Sequence, residues 1–461
     1  MRKAAEVLRR GMKRLALAVV VALALSSWCT DRSVVQELNR KIRTAAGQRD
    51  WSAMRAALIE LGQQLPAPTP VYMLRMASVE SRLGNTDAAI QWLARYAATG
   101  LKYEVRSDED LKALADTPQY RQIESAMHDR SAPISRTQEI CKLPIVDLMP
   151  EDITFDPHSG AFITSSVQHH CLYRVRLPKN GIDTCAVDEL PMEDWARGWP
   201  ILAVSLDSKR KRIWATAAAL PGFSEVSGRE AGKTALFALD NETGQIIRRF
   251  DLVTDGPGEF GDMCVAGDGT VYVSDNIGGG VYRVHGDLKT ASLEKIADGL
   301  FSPQTPTLAA DGRRLFVADY SIGIAVIELG TPAARKLGYL PHPDNVAVTG
   351  LDGLYRFGDS LIGIQNGTEP ERIMRFRLNR QQTRITSAEV IEQSTKQLGE
   401  PTHAVLVGGR FYVSANVGWE KIDDHGQLRN GGHFTPPVLL SFPAHEQAAC
   451  RGCRPAPAAS R

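Results

Sequence analysis

The stretch "GDGTVYVSDNIGGGVYRV" at residues 267–284 decides the fold. Its Asp268-Gly269 turn leads into a run in which Val271 and Val273 alternate with Tyr272 and Ser274. That is the two-residue period of a strand entered from a tight turn. Asp275-Asn276 and three glycines then make a polar loop before a second apolar run, Val281–Val284. The local expectation is strand, polar loop, strand.

The phrase recurs along the chain. Residues 156–175 place His169 and His170 in the loop slot, 310–329 place Asp319-Tyr320, 357–376 place Gln365-Asn366-Gly367, and 407–422 place Ala415-Asn416. A diverged copy spans 206–240, interrupted by an insert over 217–235 whose Gly222, Gly228 and Gly232 suit a mobile lid. Six copies at intervals of roughly 45–60 residues have the period of propeller blades. The fold class expected is mainly β, a six-bladed β-propeller over 138–445 preceded by a small α-helical domain. Strand-like segments at 139–148 and 437–444 lie at opposite ends of that region, and pairing them would close the ring and remove an exposed sheet edge.

Residues 31–130 change period. Val35, Leu38 and Ile42, then Met54, Leu58 and Leu61, recur at helical spacing. "ASVESRLGNTDAAIQWLARYAATG" (77–100) resembles a tetratricopeptide unit, with Leu83-Gly84 closing one helix and Ala89, Leu93 and Tyr96 facing inward on the next. Ser107 and Asp110 read as an N-cap and N3 acid ahead of Leu111 and Leu114. A single such repeat cannot bury its own face, so this segment either caps the propeller or binds a protein partner.

The formal net charge is +1, but residues 1–24 hold six basic side chains and one acid. The remainder stands at about −4, which excludes a nucleic-acid-binding surface. Those basic residues precede the apolar run Leu15–Leu25 and the small residues Ala22, Ala24, Ser26 and Ser27. This is the order of a signal peptide over 1–28, and the run is too short to span a bilayer comfortably. A periplasmic or secreted product follows, with an uncleaved anchor and a lipoprotein at Cys29 as alternatives; Trp28 is bulky for the residue before a lipidated cysteine. All seven cysteines survive cleavage, and an exported protein is expected to pair some of them. Cys171 and Cys185 flank a turn at Lys179-Asn180-Gly181 and could pair across it. "CRGC" at 450–453 lies in a Pro/Ala-rich tail, 446–461, without the second cysteine pair of a metal site, and reads as a tail disulfide.

In a propeller blade, first-strand starts and second-strand ends share the face around the central channel. Glu151, Gln304 and Asp352 are first-strand starts; His169, Asp275, Asn276, Asp319, Gln365, Asn366 and Asn416 are second-strand ends. Such residues either line a common funnel or serve as local turn formers, a role Asp and Asn favour. The phrases "MPEDITFDPHSGAFITSSVQHHCLYRV", "GPGEFGDMCVAGDGTVYVSDNIGGGVYRV", "FSPQTPTLAADGRRLFVADYSIGI" and "LDGLYRFGDSLIGIQNG" together resemble the gluconolactonase/regucalcin (senescence marker protein) family of six-bladed propellers.

That resemblance implies a divalent cation, usually calcium, held on the channel axis by a glutamate, asparagines and an aspartate. The cation polarises a lactone carbonyl and acidifies the attacking water. By position the glutamate is Glu151 of "PEDI" and the aspartate Asp352 of "LDGL", the implied catalytic pair, with Gln304 as a further ligand. The remaining slots depart from the pattern: Leu202 in blade two, Gly261 beside Asp262 in blade three, Thr402 beside His403 in blade six. Asp262 and His403 join the rim residues as substrate-binding candidates. The resemblance thus implies a calcium-dependent lactonase-type hydrolase of a lactone or related ester, which the leader would make an exported one. A non-catalytic ligand- or protein-binding propeller working with the helical domain is the alternative, and a strictosidine-synthase-like activity the third. No Gly-x-Ser-x-Gly elbow is present, and His169, His170 and His403 lack a matched Ser or Cys nucleophile.

Overall fold

The computed structural model describes residues 31–179, 183–192, 198–220, 222–223, 232–330, 337–423 and 425–445. The leader, the tail with Cys450 and Cys453, the turn residues Asn180 and Gly181, and Gly228 of the insert lie outside the described residues. Six four-stranded sheets follow one another along the chain. Blade one comprises β2 (Ile153–Asp156), β3 (Ala161–Ser166), β4 (Cys171–Arg176) and β5 (Ala186–Glu189). Blade two comprises β6 (Ile201–Asp207), β7 (Arg212–Ala218), β8 (Thr234–Asp240) and β9 (Ile246–Asp251). Blade three comprises β10 (Phe260–Val265), β11 (Val271–Asp275), β12 (Val281–Val284) and β13 (Glu294–Ala297). Blade four comprises β14 (Pro303–Leu308), β15 (Arg314–Asp319), β16 (Gly323–Glu328) and β17 (Leu337–Tyr339). Blade five comprises β18 (Leu351–Phe357), β19 (Ser360–Gln365), β20 (Arg372–Leu378) and β21 (Ile385–Gln393).

Blade six joins the two ends of the ring. Its strands are β22 (Ala404–Val407), β23 (Arg410–Ala415), β24 (Val438–Pro443) and, outermost, β1 (Gln138–Lys142). The register runs from Gln138 opposite Ser441 to Lys142 opposite Val438. Second strands such as β3 and β11 are buried at every position, because each sheet is covered on both faces by its neighbours. Alternation therefore gives way to runs that mix aliphatic residues with Ser and Thr, whose hydroxyls are satisfied by backbone. Ser165 Oγ donates to the Leu202 carbonyl of the next blade, and Thr216 Oγ1 to that of Gly261.

The expected pairing of Cys171 with Cys185 is corrected. Cys185 is bonded to Cys141, with Cα atoms 5.5 Å apart. Cys141 lies on β1 of blade six and Cys185 just before β5 of blade one, so the bridge staples the ring where its ends meet. Beside it Lys142 N donates to Asp183 O and Cys185 N to Lys142 O. The partner of Cys185 is set by closure, a contact invisible to hairpin-level reasoning.

Among the described residues five helices precede the ring: α1 (Arg32–Gly47), α2 (Trp51–Gln64), α3 (Pro70–Arg82), α4 (Thr86–Ala98) and α5 (Pro118–Arg130). Asp31, Asp50, Thr69 and Thr117 accept from first-turn amides, the last two directly before a proline at the first helical position. The helix expected to start at Ser107 does not form; 105–107 and 112–114 make single 3₁₀ turns. Asp108 Oδ1 accepts from the Asp110 amide, and Pro118, which restricts Thr117 and lacks an N–H, starts the helix afresh.

The helices rest on the channel face over blades four and five. Phe301, Ile322 and Tyr339 join the apolar core of α1–α3, and Ala347 joins that of α3–α5. Buried Arg372 donates from Nε to Gln365 Oε1 and from Nη1 to Thr99 O, and Arg32 reaches the Ile277 carbonyl of blade three. No described helix is long and apolar enough to cross a membrane.

Candidate metal centre

Four blades share one irregularity. In blades two to five the first strand gains a residue against the second, between Ile201 and Val204, Phe260 and Met263, Pro303 and Pro306, and Leu351 and Leu354. The bulged pairs are Leu202-Ala203, Gly261-Asp262, Gln304-Thr305 and Asp352-Gly353. A bulge re-aims a side chain out of the ladder, here at the channel end of each first strand. Glu151-Asp152 and Thr402-His403 stand at the equivalent places in blades one and six.

These positions converge. The ligand atoms of Glu151, Asp352 and His403 all lie within 4.8 Å of one another. Trp419 Nε1 donates to Glu151 Oε2, and Asn366 Nδ2 donates to Asp352 Oδ2 at 2.7 Å. Tyr320 OH in turn donates to Asn366 Oδ1. His403 Nδ1 lies 2.9 Å from the Glu151 carbonyl, and Nε2 lies 2.9 Å from Asp262 Oδ2. The latter is an ion-pair contact without the alignment of a hydrogen bond, because Nε2 has no aligned acceptor. Thr305 Oγ1 is 2.8 Å from both Asp262 Oδ2 and the Asp352 carbonyl.

Charge is concentrated here. Burial, then the charge of Asp352, raises Glu151 well above the usual carboxylate range, and burial raises Asp352 likewise. Asp152 is pushed up to about 6, again by burial first. Burial opposes a charge on His403, but Asp262, Asp152 and Asp352 together outweigh it and hold the imidazole protonated. At neutral pH at least one of the two converging carboxyls keeps a proton unless a cation takes its place.

Above them opens a pocket of about 340 Å³. Glu151, Asp262 and Gln304 line it with Leu202, Phe223 and Trp419. Asn276 lines it as well. A Cβ on Gly261 would stand 2.2 Å from the Asn276 amide, so that amide fills the space blade three leaves open. Its Oδ1 is buried with no hydrogen-bond partner. Glu259, pushed up to about 7 by burial and then by Asp275, completes the wall.

Other candidates turn elsewhere. Asp275 accepts from the Glu259 and Gly278 amides, and Asp319 accepts from Phe301 N, Ser302 N and Tyr339 OH. Gln365 bonds the Ala347 and Thr349 carbonyls and accepts from Arg372. Asn416 bonds Thr435 and Pro436, and His169 bonds Tyr173 with Asp147 at 3.2 Å. These five, expected to line the funnel, are instead tied by hydrogen bonds to nearby loops in their own blades. Sequence reasoning passed over Asp152, Glu259, Thr305 and Trp419. A sixfold alignment of the position after each slot would have exposed Asp152 and Thr305 beside Asp262 and His403; nothing local marks Trp419.

No family model and no curated protein matches the chain. Solved structures do match over the propeller. A gluconolactonase from Xanthomonas campestris is 12% identical over 67% of this chain and 89% of its own, with a TM-score of 0.43. A calcium-binding regucalcin from Agrobacterium tumefaciens is 18% identical over 67% and 93%, with a TM-score of 0.44. A luciferin-regenerating enzyme is 11% identical over 67% and 95%, also at 0.44. The chain is similar to these proteins in its propeller, and its chemistry must be argued from its own residues.

Proposed function

We propose that the chain is an exported hydrolase that opens a lactone or related ester at a divalent cation site in the propeller channel. The observation that supports this is the convergence of the Glu151 and Asp352 carboxyls within 4.8 Å beside a half-apolar pocket, with protonated His403 next to them as a charge partner and not a ligand. The donor set fits a hard cation: two carboxylates, the Gln304 amide, and the orphaned Asn276 Oδ1 on the same wall. Glu151, Asp352 and Gln304 would hold the ion, probed first as calcium. Bound there, a divalent cation supplies Lewis-acid polarisation of the ester carbonyl and a more acidic water.

The chain's own groups do the rest. Trp419 and Asn366 fix the two carboxylates in place, which keeps the ligand geometry from relaxing. Leu202, Phe223 and Trp419 give an apolar wall against which the carbon skeleton of a substrate packs and water is excluded. Glu259, with its carboxyl held near neutrality, takes a proton from the attacking water and returns it to the alcohol oxygen as the ring C–O bond breaks. The test is turnover of sugar and acyl lactones by purified protein, with and without a chelator. Hydrolysis that needs the cation and disappears in Glu151→Gln and Asp352→Asn is expected. Turnover indifferent to the chelator would overturn it, and absence of turnover with cation bound would favour the ligand-binding alternative.

A further inference from the structure

A second cleft, of about 510 Å³, lies where α1–α3 meet the loops of blades four and five. It shares no lining residue with the pocket over Glu151. Its lining combines the apolar Tyr72, Phe301 and Ile322 with the polar Asn39, Arg43 and Arg75. Its volume falls in the range of small-molecule sites.

The two arginines are the informative feature. Elsewhere on these helices guanidinium groups meet carboxylates: Arg55 with Glu80 at 2.7 Å, Arg82 with Asp110, Arg95 with Asp344. Arg43 and Arg75 meet none among the described residues. Arg75 is half-buried and gives Nη1 to Asn39 Oδ1 at 2.8 Å, leaving its other N–H groups without an anion. Burial, and then the neighbouring charge of Arg43, holds its guanidinium below the ordinary value. Two like charges, one of them partly desolvated, are a standing cost in the empty cleft. An anion removes that cost, and the planar fork of arginine suits a carboxylate. Tyr72 and Ile322 are buried in the helical core, and partly exposed Phe301 offers the apolar surface of the cleft.

We propose that this seam between helices and propeller binds a small carboxylic acid, its carboxylate on Arg43 and Arg75 and its apolar body against Phe301. The site goes beyond the hydrolase reading and stands or falls without it. It would also give the helices a role in ligand binding. The guanidinium pair supplies orientation, and Phe301 supplies discrimination against bare anions.

The probe is benzoate, titrated into the full-length protein and followed by calorimetry and thermal melting, with benzamide and inorganic phosphate as comparisons. Benzoate is expected to bind one to one and raise Tm. Arg43→Gln and Arg75→Gln should each weaken it at least tenfold, the scale of one lost charge-assisted contact. Arg43 is exposed, so its variant should melt at or slightly above the parent without ligand, which keeps the test valid if Arg75→Gln folds poorly. No benzoate binding, equal binding of benzamide, or full affinity in Arg43→Gln would overturn the proposal. Phosphate binding as tightly as benzoate would overturn the apolar half of it.

Discussion

First-strand starts and second-strand ends occupy the same face of the ring and carry similar residues, yet they do different work. Asp352 and Asp319 show the difference. Asp352 sits in a bulge, points out of its ladder and converges with Glu151 across the channel. Asp319 ends a regular pairing, faces back onto the chain and accepts three hydrogen bonds from its own blade. The difference is one inserted residue, which aims Asp352 out of its ladder toward Glu151 while Asp319 stays tied to its own blade. Acids available in the channel repel one another, and acids at strand ends hold the blades together.

Breaking the structural side should cost most stability. Replacing the disulfide by serines at Cys141 and Cys185 frees a 44-residue separation at the ring closure. Loop-closure entropy puts the loss at roughly 4 kcal/mol, read as a lower denaturant midpoint. Asp319→Ala strands three donors and should cost about 3 kcal/mol, without altering the response to a cation. On the ligand side, Asn366→Leu releases one oxygen of Asp352, and cation affinity should fall about tenfold or more with the fold intact. Calorimetric titration measures it.

The same contrast has a pH signature. The carboxyls of Asp152 and Glu259 and the imidazole of His403 are all raised in the folded chain. Each raised group contributes most stability below its unfolded value and loses it as pH climbs through the folded one. For the acids the loss runs from about pH 4 to about pH 7. The proposed ligands Glu151 and Asp352 are raised too, and a cation favours their ionised forms, so the calcium-induced rise in Tm should grow between about pH 5 and pH 8. A rise that shrinks with pH would contradict the arrangement. The smallest effect belongs to His169, whose partly exposed contact with Asp147 is worth at most about 1 kcal/mol. His169→Ala should leave cation binding unchanged.

Blade number, ring closure and the channel face were legible in the sequence because each rests on a repeated local signal. Turn, alternating run and polar slot recur six times, and Glu151 and Asp352 fall in register with each other. What could not be read depends on contacts between distant segments. Cys141 finds Cys185 only after the ring closes. Asn276 fills the place of a side chain at Gly261 from the loop after the second strand of its blade, a packing that the sequence order does not display. Trp419 reaches Glu151 from a loop 268 residues away. Asp275, Asp319 and Gln365 read as funnel-lining residues because turn formers and binding residues draw on the same residue types. Only the direction of the side chain separates them.

The central claim is that Glu151 and Asp352, brought together by the closed ring, hold a divalent cation. It is tested most directly by melting the purified protein across a calcium titration, beside Glu151→Gln and Asp352→Asn. A saturable rise in Tm is expected for the parent and none for either variant, each of which should melt at or above the metal-free parent because a buried repulsion has been removed. A parent whose Tm ignores calcium, and equally ignores manganese and zinc, would contradict it.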